Sequence, residues 1–156
     1  MYGDWATTHD QTIKDYEYQS PQRIVEAFLR HCVYKFVALF DVGCGTDLSN
    51  MAPDTAGNTQ IDRSDVSPKM IEIARKLTGV YRRVIVADPF PFATGSEHMI
   101  TVMGVIADQH APLHTIGQLL NELHAGGLLI FSLNNHTLDN LDYLQACRDA
   151  VTDGIV

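Results

Sequence analysis

Apolar residues along this chain keep two rhythms, one suited to helices that cover a sheet and one to strands buried on both faces. After a polar arm over residues 1–19, Ser20 can cap a helix and Pro21 suits its first turn. Val25, Phe28, Leu29 and Cys32 then recur at i, i+3, i+4 and i+7. Phe36 to Val42 is a short, nearly unbroken apolar run closing on Asp41 and a glycine turn, the pattern of a strand inside a parallel sheet. It recurs at Val84 to Ala87, Met99 to Val105 and Leu128 to Leu133, with a weaker version at Thr59 to Ser64. Helical patterns separate these runs. Ser67 caps a segment reaching Leu77, with Pro68 in its first turn and Met70, Ala74 and Leu77 on one face. Ile116, Leu119, Leu120 and Leu123 form a second stripe ended by Gly126 and Gly127, and Leu141, Leu144, Cys147 and Val151 a third. Strands alternating with helices predict an α/β fold: an open, doubly wound, mostly parallel sheet with helices on both faces and any ligand at the C-terminal strand edges.

Composition narrows the partners. With 156 residues and 46% hydrophobic content, one domain over residues 1–156 is expected. A net charge of -8 and the lack of any basic run argue against nucleic acid, whose phosphates are held by Lys and Arg. The three cysteines, Cys32, Cys44 and Cys147, make no CxxC pair and no disulfide framework, so free thiols in a reducing compartment are expected. The polar N-terminal arm is no signal peptide and no apolar run reaches membrane-span length, so the expectation is a cytoplasmic protein with no membrane partner and no metal site.

The chemistry concentrates in FDVGCGTDLSN, residues 40–50, at the turn after the first strand. Gly43 and Gly45 permit backbone angles and a close ligand approach that a side chain would block. About 20 positions further on, at the end of the next strand, a carboxylate can reach ribose hydroxyls; Asp65 fits that place and Asp62 is the fallback. Asp65 can also be read as a helix-capping carboxylate. A dinucleotide fingerprint needs a small residue where this chain has Leu48, so nicotinamide and flavin cofactors are not expected.

In these segments the chain resembles the class I, Rossmann-like S-adenosylmethionine-dependent methyltransferases of the small-molecule type. DVGCGT resembles their glycine loop, SDVSPKMIEIARK the ribose-binding strand and its helix, and VIVADPFPF the strand ending in an acidic residue. MITVMGVIADQHAP resembles the fourth strand with its active-site loop, and LLNELHAGGLLIFSLN the helix, double-glycine turn and fifth strand. The resemblance implies S-adenosylmethionine as cofactor, S-adenosylhomocysteine as product and a small-molecule methyl acceptor. It implies that Asp41, Gly43, Cys44 and Gly45 surround the methionine part, Asp65 takes the ribose hydroxyls, Val66 and Met70 border the adenine, and Asp88 bonds its exocyclic amine. Gly104 and Val105 would line the sulfonium side.

Should the acceptor need to lose a proton, His110 is the best placed base, with Asp108 and His9 behind it, although a loop histidine without chemical duty is the commoner case. Trp5, Tyr16 and Tyr18 could lie over the sulfonium through cation–π contact or simply pack. Cys44 has a reactive-thiol reading as well.

Three features depart from the family's pattern. Asp47 stands where a third glycine is usual, His98 replaces an acidic residue at the fourth strand, and His9 and Asp10 replace a tyrosine-aspartate pair. The sequence stops before the family's final antiparallel hairpin, which predicts an open sheet edge and with it a homodimer or an edge screened by the last helix. A degenerate, non-catalytic binding domain that keeps the fold is the alternative.

Overall fold

The structure, a computed structural model, describes residues 20–31, 38–45, 60–76, 81–87, 94–107, 111 and 114–152. Its elements are α1 (Ser20–His31), β1 (Leu39–Val42), β2 (Ile61–Asp65), α2 (Pro68–Ala74) and β3 (Tyr81–Val86). They continue with β4 (Glu97–Val102), α3 (His114–Glu122), β5 (Leu123–Phe131), α4 (Asn135–Asp139) and α5 (Leu141–Thr152). The strands form one sheet in the order β3-β2-β1-β4-β5, and every pair is parallel. The chain winds from β1 outward to β3, then crosses to the other side of β1 to lay down β4. That reversal opens a crevice at the C-terminal ends of β1 and β4, where such sheets bind ligands.

Alternation along β1 builds the two faces, since successive side chains point to opposite sides. Leu39 packs with Ile61, Met99 and Ile130 against Ile24 and Phe28 of α1. Phe40 and Val42 pack with Ile100 and Val102 against Ile116 and Leu119 of α3 and Tyr143 of α5. Both faces of β1 are therefore covered, and all four of its residues are buried. No described helix is long and apolar enough to cross a membrane.

At two helices the expected stripes are met only in part, with Val25 and Phe28 of α1 and Cys147 of α5 on the core. In α1 the buried residues are Ile24 and Phe28, while Leu29 is 61% exposed; in α5 the core residue is Tyr143, and Leu141 is 74% exposed. The start of α2 is as expected, with Ser67 capping it by accepting from the Met70 N–H. It ends at Ala74, and Leu77 lies outside the described residues.

The stripe on α3 was expected to run through Leu123, yet Leu123 already pairs with Glu97 as the first residue of β5. The next pair is Met99 with Leu128, so His124 to Gly127 lie opposite His98 alone. Gly126 takes a positive φ of 84° in this excursion. A Cβ on Gly127 would come within 3.0 Å of the His124 carbonyl oxygen and 3.1 Å of that of His98. The double glycine thus shapes a bulge at the base of the last strand as well as following a helix end.

A second bulge organises charge. Ile61 pairs with Tyr81 but Asp62 with Arg83, so Arg82 is the extra residue on the edge strand. Two successive arginines thereby reach one carboxylate. Arg82 Nε donates to Asp62 Oδ1 at 2.9 Å and Arg82 Nη2 to Oδ2, while Arg83 donates to Oδ2 from Nε at 3.0 Å and Nη2 at 2.6 Å. Burial alone would push the Asp62 carboxyl up, but these hydrogen bonds and charges win and hold it below the usual carboxylate range. A depressed carboxylate contributes stability that is complete above its unfolded value, about pH 4, and is lost as pH falls through the folded value.

Removing both arginines, Arg82→Ala with Arg83→Ala, should cost about 2–4 kcal/mol, the lower end reflecting that both are half-exposed. It should also move acid unfolding to higher pH. Melting curves between pH 3 and 7 read both effects, and coincident curves for parent and variant would contradict this account.

Candidate functional site

The C-terminal ends of β1, β2 and β4 meet at the glycine turn. Gly43 and Gly45 hold φ values of 71° and 57°, in the left-handed region that a Cβ disfavours. The turn is tied to β2 by its backbone: the N–H groups of Gly43 and Cys44 both donate to the Ser64 carbonyl, at 2.8 and 2.9 Å. Asp65 completes the tie. Its Oδ2 accepts from the Gly45 N–H at 2.9 Å and its Oδ1 from the Ser67 N–H at 2.8 Å, joining the glycine turn to the start of α2.

This geometry separates the two acidic candidates left open by the sequence. Asp65 stands at the end of β2 beside the turn, whereas Asp62 is 1% exposed and engaged by Arg82 and Arg83. Capping of α2 falls to Ser67. Each Asp65 oxygen accepts one of these amides and keeps capacity for another donor.

The β4 side of the crevice is equally defined. Gly104, with φ 69°, donates its N–H to Ser132 Oγ at 2.9 Å, which fixes the loop after β4 to the end of β5. Val105 follows and closes on the glycine turn, so that a Cβ at Gly43 would lie 2.2 Å from Val105 Cγ2. Gly45 is different, for no described atom lies within 4 Å of where its Cβ would be. One glycine is needed for packing within the protein, and the other leaves room above the turn among the described residues.

Beneath the turn, Asp41 is 4% exposed and accepts from Thr101 Oγ1 at 2.9 Å, with Arg63 Nε 3.7 Å from its other oxygen. Cys44 is 3% exposed. Burial, then the carboxylates of Asp41 and Asp65, push its thiol far above the ordinary range, the opposite of what a reactive thiolate needs. Val66, 48% exposed, offers an apolar side chain at the rim, while Met70 faces inward at 4% exposure.

Asp41, Gly43, Cys44, Gly45, Asp65, Val66, Gly104 and Val105 thus gather at one edge of the sheet, with Met70 just inside it. Asp88, His110, Asp108, Asp47, His9, Asp10, Trp5, Tyr16 and Tyr18 lie outside the described residues. His98 lies at the start of β4, on the opposite rim, with its ring edge-on to that of His124 at 4.2 Å. Sequence reasoning missed Arg63, Thr101, Ser64 and Ser132, whose roles depend on strand register. Among the described residues no group of three or more His, Cys, Asp or Glu side chains is arranged to hold a metal ion.

The family model described as "Methyltransferase domain" matches residues 40–131. None of the curated proteins matches the chain. Among solved structures, it is similar to a chain of the complex between the Haloferax volcanii Trm112 methyltransferase activator and a methyltransferase. The TM-score there is 0.69 at 20% identity, over 93% of this chain and 75% of that one. It is similar to the ribosomal protein L11 methylase of Lactobacillus delbrueckii subsp. bulgaricus, with TM-score 0.69 and 22% identity over 85% and 68% of the two chains. A third likeness is to the magnesium protoporphyrin IX methyltransferase of Synechocystis PCC 6803 with bound S-adenosylmethionine, TM-score 0.54 and 19% identity over 67% and 53%. At these identities the structural likeness speaks for the fold, the Rossmann-like fold of class I methyltransferases.

Proposed function

For a chain that belongs to the methyltransferase-domain family, we propose that the rim built by β1, β2 and β4 binds S-adenosylmethionine and that the protein transfers its methyl group to a small-molecule acceptor. The observation that carries this reading is the Asp65 carboxylate at the end of β2, bonded to the Gly45 and Ser67 amides and still able to accept hydroxyl donors. Among the described residues nothing fills the space above Gly45, which suits a ligand lying against the main chain. Exposed Val66 suits an apolar ring edge, and Asp88, just past β3, is assigned to the adenine amine.

When bound, the cofactor supplies an already activated methyl group on a sulfonium, so the protein's task is alignment and exclusion of water. In this reading Gly43 and Val105 close the floor of the crevice and Ser132 holds Gly104 in place beside it. His110 is assigned to receive a proton from acceptors that must lose one.

Thermal melting tests the proposal. A ligand that prefers the native state stabilises it by RT ln(1 + [L]/Kd), about 2.7 kcal/mol at a hundredfold excess over Kd. For a chain of this size that is a rise of roughly 5–10 °C. S-adenosylmethionine or S-adenosylhomocysteine should produce such a rise and NADH should not. Folded protein whose melting is unmoved by millimolar amounts of either adenosyl compound would defeat the reading.

A further inference from the structure

We propose that Arg63 is a positioning residue for the glycine turn: its buried guanidinium holds Asp41 from β2, and through Asp41 it sets the turn on which, under the function proposed above, cofactor affinity depends. Asp41 pairs in register with Arg63 on one side and Thr101 on the other, so the three side chains form a row across β2, β1 and β4. Thr101 Oγ1 donates to one carboxylate oxygen at 2.9 Å, and Arg63 Nε lies 3.7 Å from the other. Arg63 is 0% exposed and Asp41 4%.

The surroundings make this row unusual. Leu39, Ile61, Met99 and Ile130, on the same face of the sheet, are all apolar and pack under α1. An apolar residue at 63 would extend that cluster, and a buried ion pair is often no more stabilising than well-packed hydrophobic residues of similar volume. Its distinctive gift is geometry. Asp41 lies two residues before Gly43, and Arg63 immediately precedes Ser64, whose carbonyl accepts from both Gly43 and Cys44. The ion pair therefore fastens β1 to β2 one register step below the point where the turn is bonded, and one step further along β2 Asp65 meets Gly45. Arg63 is fully buried below the rim, and its in-register contact with Asp41 is the route by which it reaches the turn.

Amide hydrogen exchange followed by NMR reads the turn without any cofactor, and titration with S-adenosylhomocysteine reads its consequence. Arg63→Met and Asp41→Asn should each speed exchange at Gly43 and Cys44 by about tenfold or more, while Ile100 and Ile130 keep parent rates. The double variant should be no faster than the faster single one, because both act through one interaction. Arg63→Lys should recover most of the protection. Affinity for S-adenosylhomocysteine should fall about tenfold in Arg63→Met and much less from the same change made in the Asp41→Asn background.

Additive effects in the double variant, or faster exchange spread evenly over β1, β4 and β5, would overturn the proposal in favour of a general structural role. If Arg63→Met does not fold, Asp41→Asn decides alone, since parent-like exchange at Gly43 and Cys44 in that variant overturns it equally. Failure of the parent to bind S-adenosylhomocysteine would strike the proposed function, with the exchange comparison still deciding the role of Arg63. Binding by the parent with both readouts unchanged in Arg63→Met would strike this proposal alone.

Discussion

Replacing Gly43 by alanine should destabilise the protein by about 2–4 kcal/mol and lower its melting temperature by roughly 10 °C. Two costs add. A residue with a Cβ at φ 71° loses about 1 kcal/mol to backbone strain. The new methyl also collides with Val105 Cγ2, 2.2 Å from where it would sit, and relieving that overlap costs roughly 1–3 kcal/mol. The steric part has its own control, because the next nearest atom is Val105 Cβ at 3.5 Å, an ordinary contact. Adding Val105→Ala to Gly43→Ala should therefore recover the steric part apart from the small loss of Val105's own packing, and leave the backbone part. Gly45→Ala should behave differently: with no described atom within 4 Å it keeps only the strain of φ 57° in stability, while filling the space assigned to the cofactor. Denaturant unfolding of the four proteins reads the stability terms. Equal losses at Gly43 and Gly45 would show that Val105 does not press on the turn as described.

Asp65→Ala should weaken adenosyl-cofactor binding by about 1–3 kcal/mol, a fivefold to 150-fold rise in Kd by calorimetry. Unlike a residue that meets only ligand, Asp65 also accepts from Gly45 and Ser67, so its removal should lower apo stability by about 1–2 kcal/mol. Asp62→Ala is the matched control, three residues away on the same strand but committed to Arg82 and Arg83. It should lower stability and leave the affinity of the folded protein near that of the parent. Loss of affinity in Asp62→Ala with none in Asp65→Ala would mean that the ligand does not meet the end of β2.

What could be read from the sequence is what local chemistry decides. The buried run before the glycine turn and the Ser67 cap and Pro68 of α2 each depend on residues a few positions apart, and each recurs in the structure. Helix phase was less secure, because Ile24 and Leu29 are equally apolar and only the sheet beneath α1 selects Ile24 for burial. At the base of β5, Gly126 and Gly127 read as a helix stop, and a bulge in a strand asks for the same residues.

The row of Arg63, Asp41 and Thr101 was illegible for a different reason. A charged residue inside a strand reads as exposed until the pairing of β1 with β2 and β4 is known, and Thr101 lies 60 residues from the carboxylate it serves. Asp62 and Asp65 stand three residues apart on one strand, and which of them lies at its C-terminal end depends on where β2 stops.

Under the proposed function an adenosyl cofactor lies on the rim formed by the glycine turn and the end of β2. Titrating 15N-labelled protein with S-adenosylhomocysteine, and following each amide, tests it most directly. Saturable shifts with one common Kd are expected at Gly43, Cys44, Gly45, Asp65, Val66 and Gly104, and none at His98 or His124 on the opposite rim. Shifts confined to residues away from those strand ends, or none at millimolar ligand in folded protein, would contradict it.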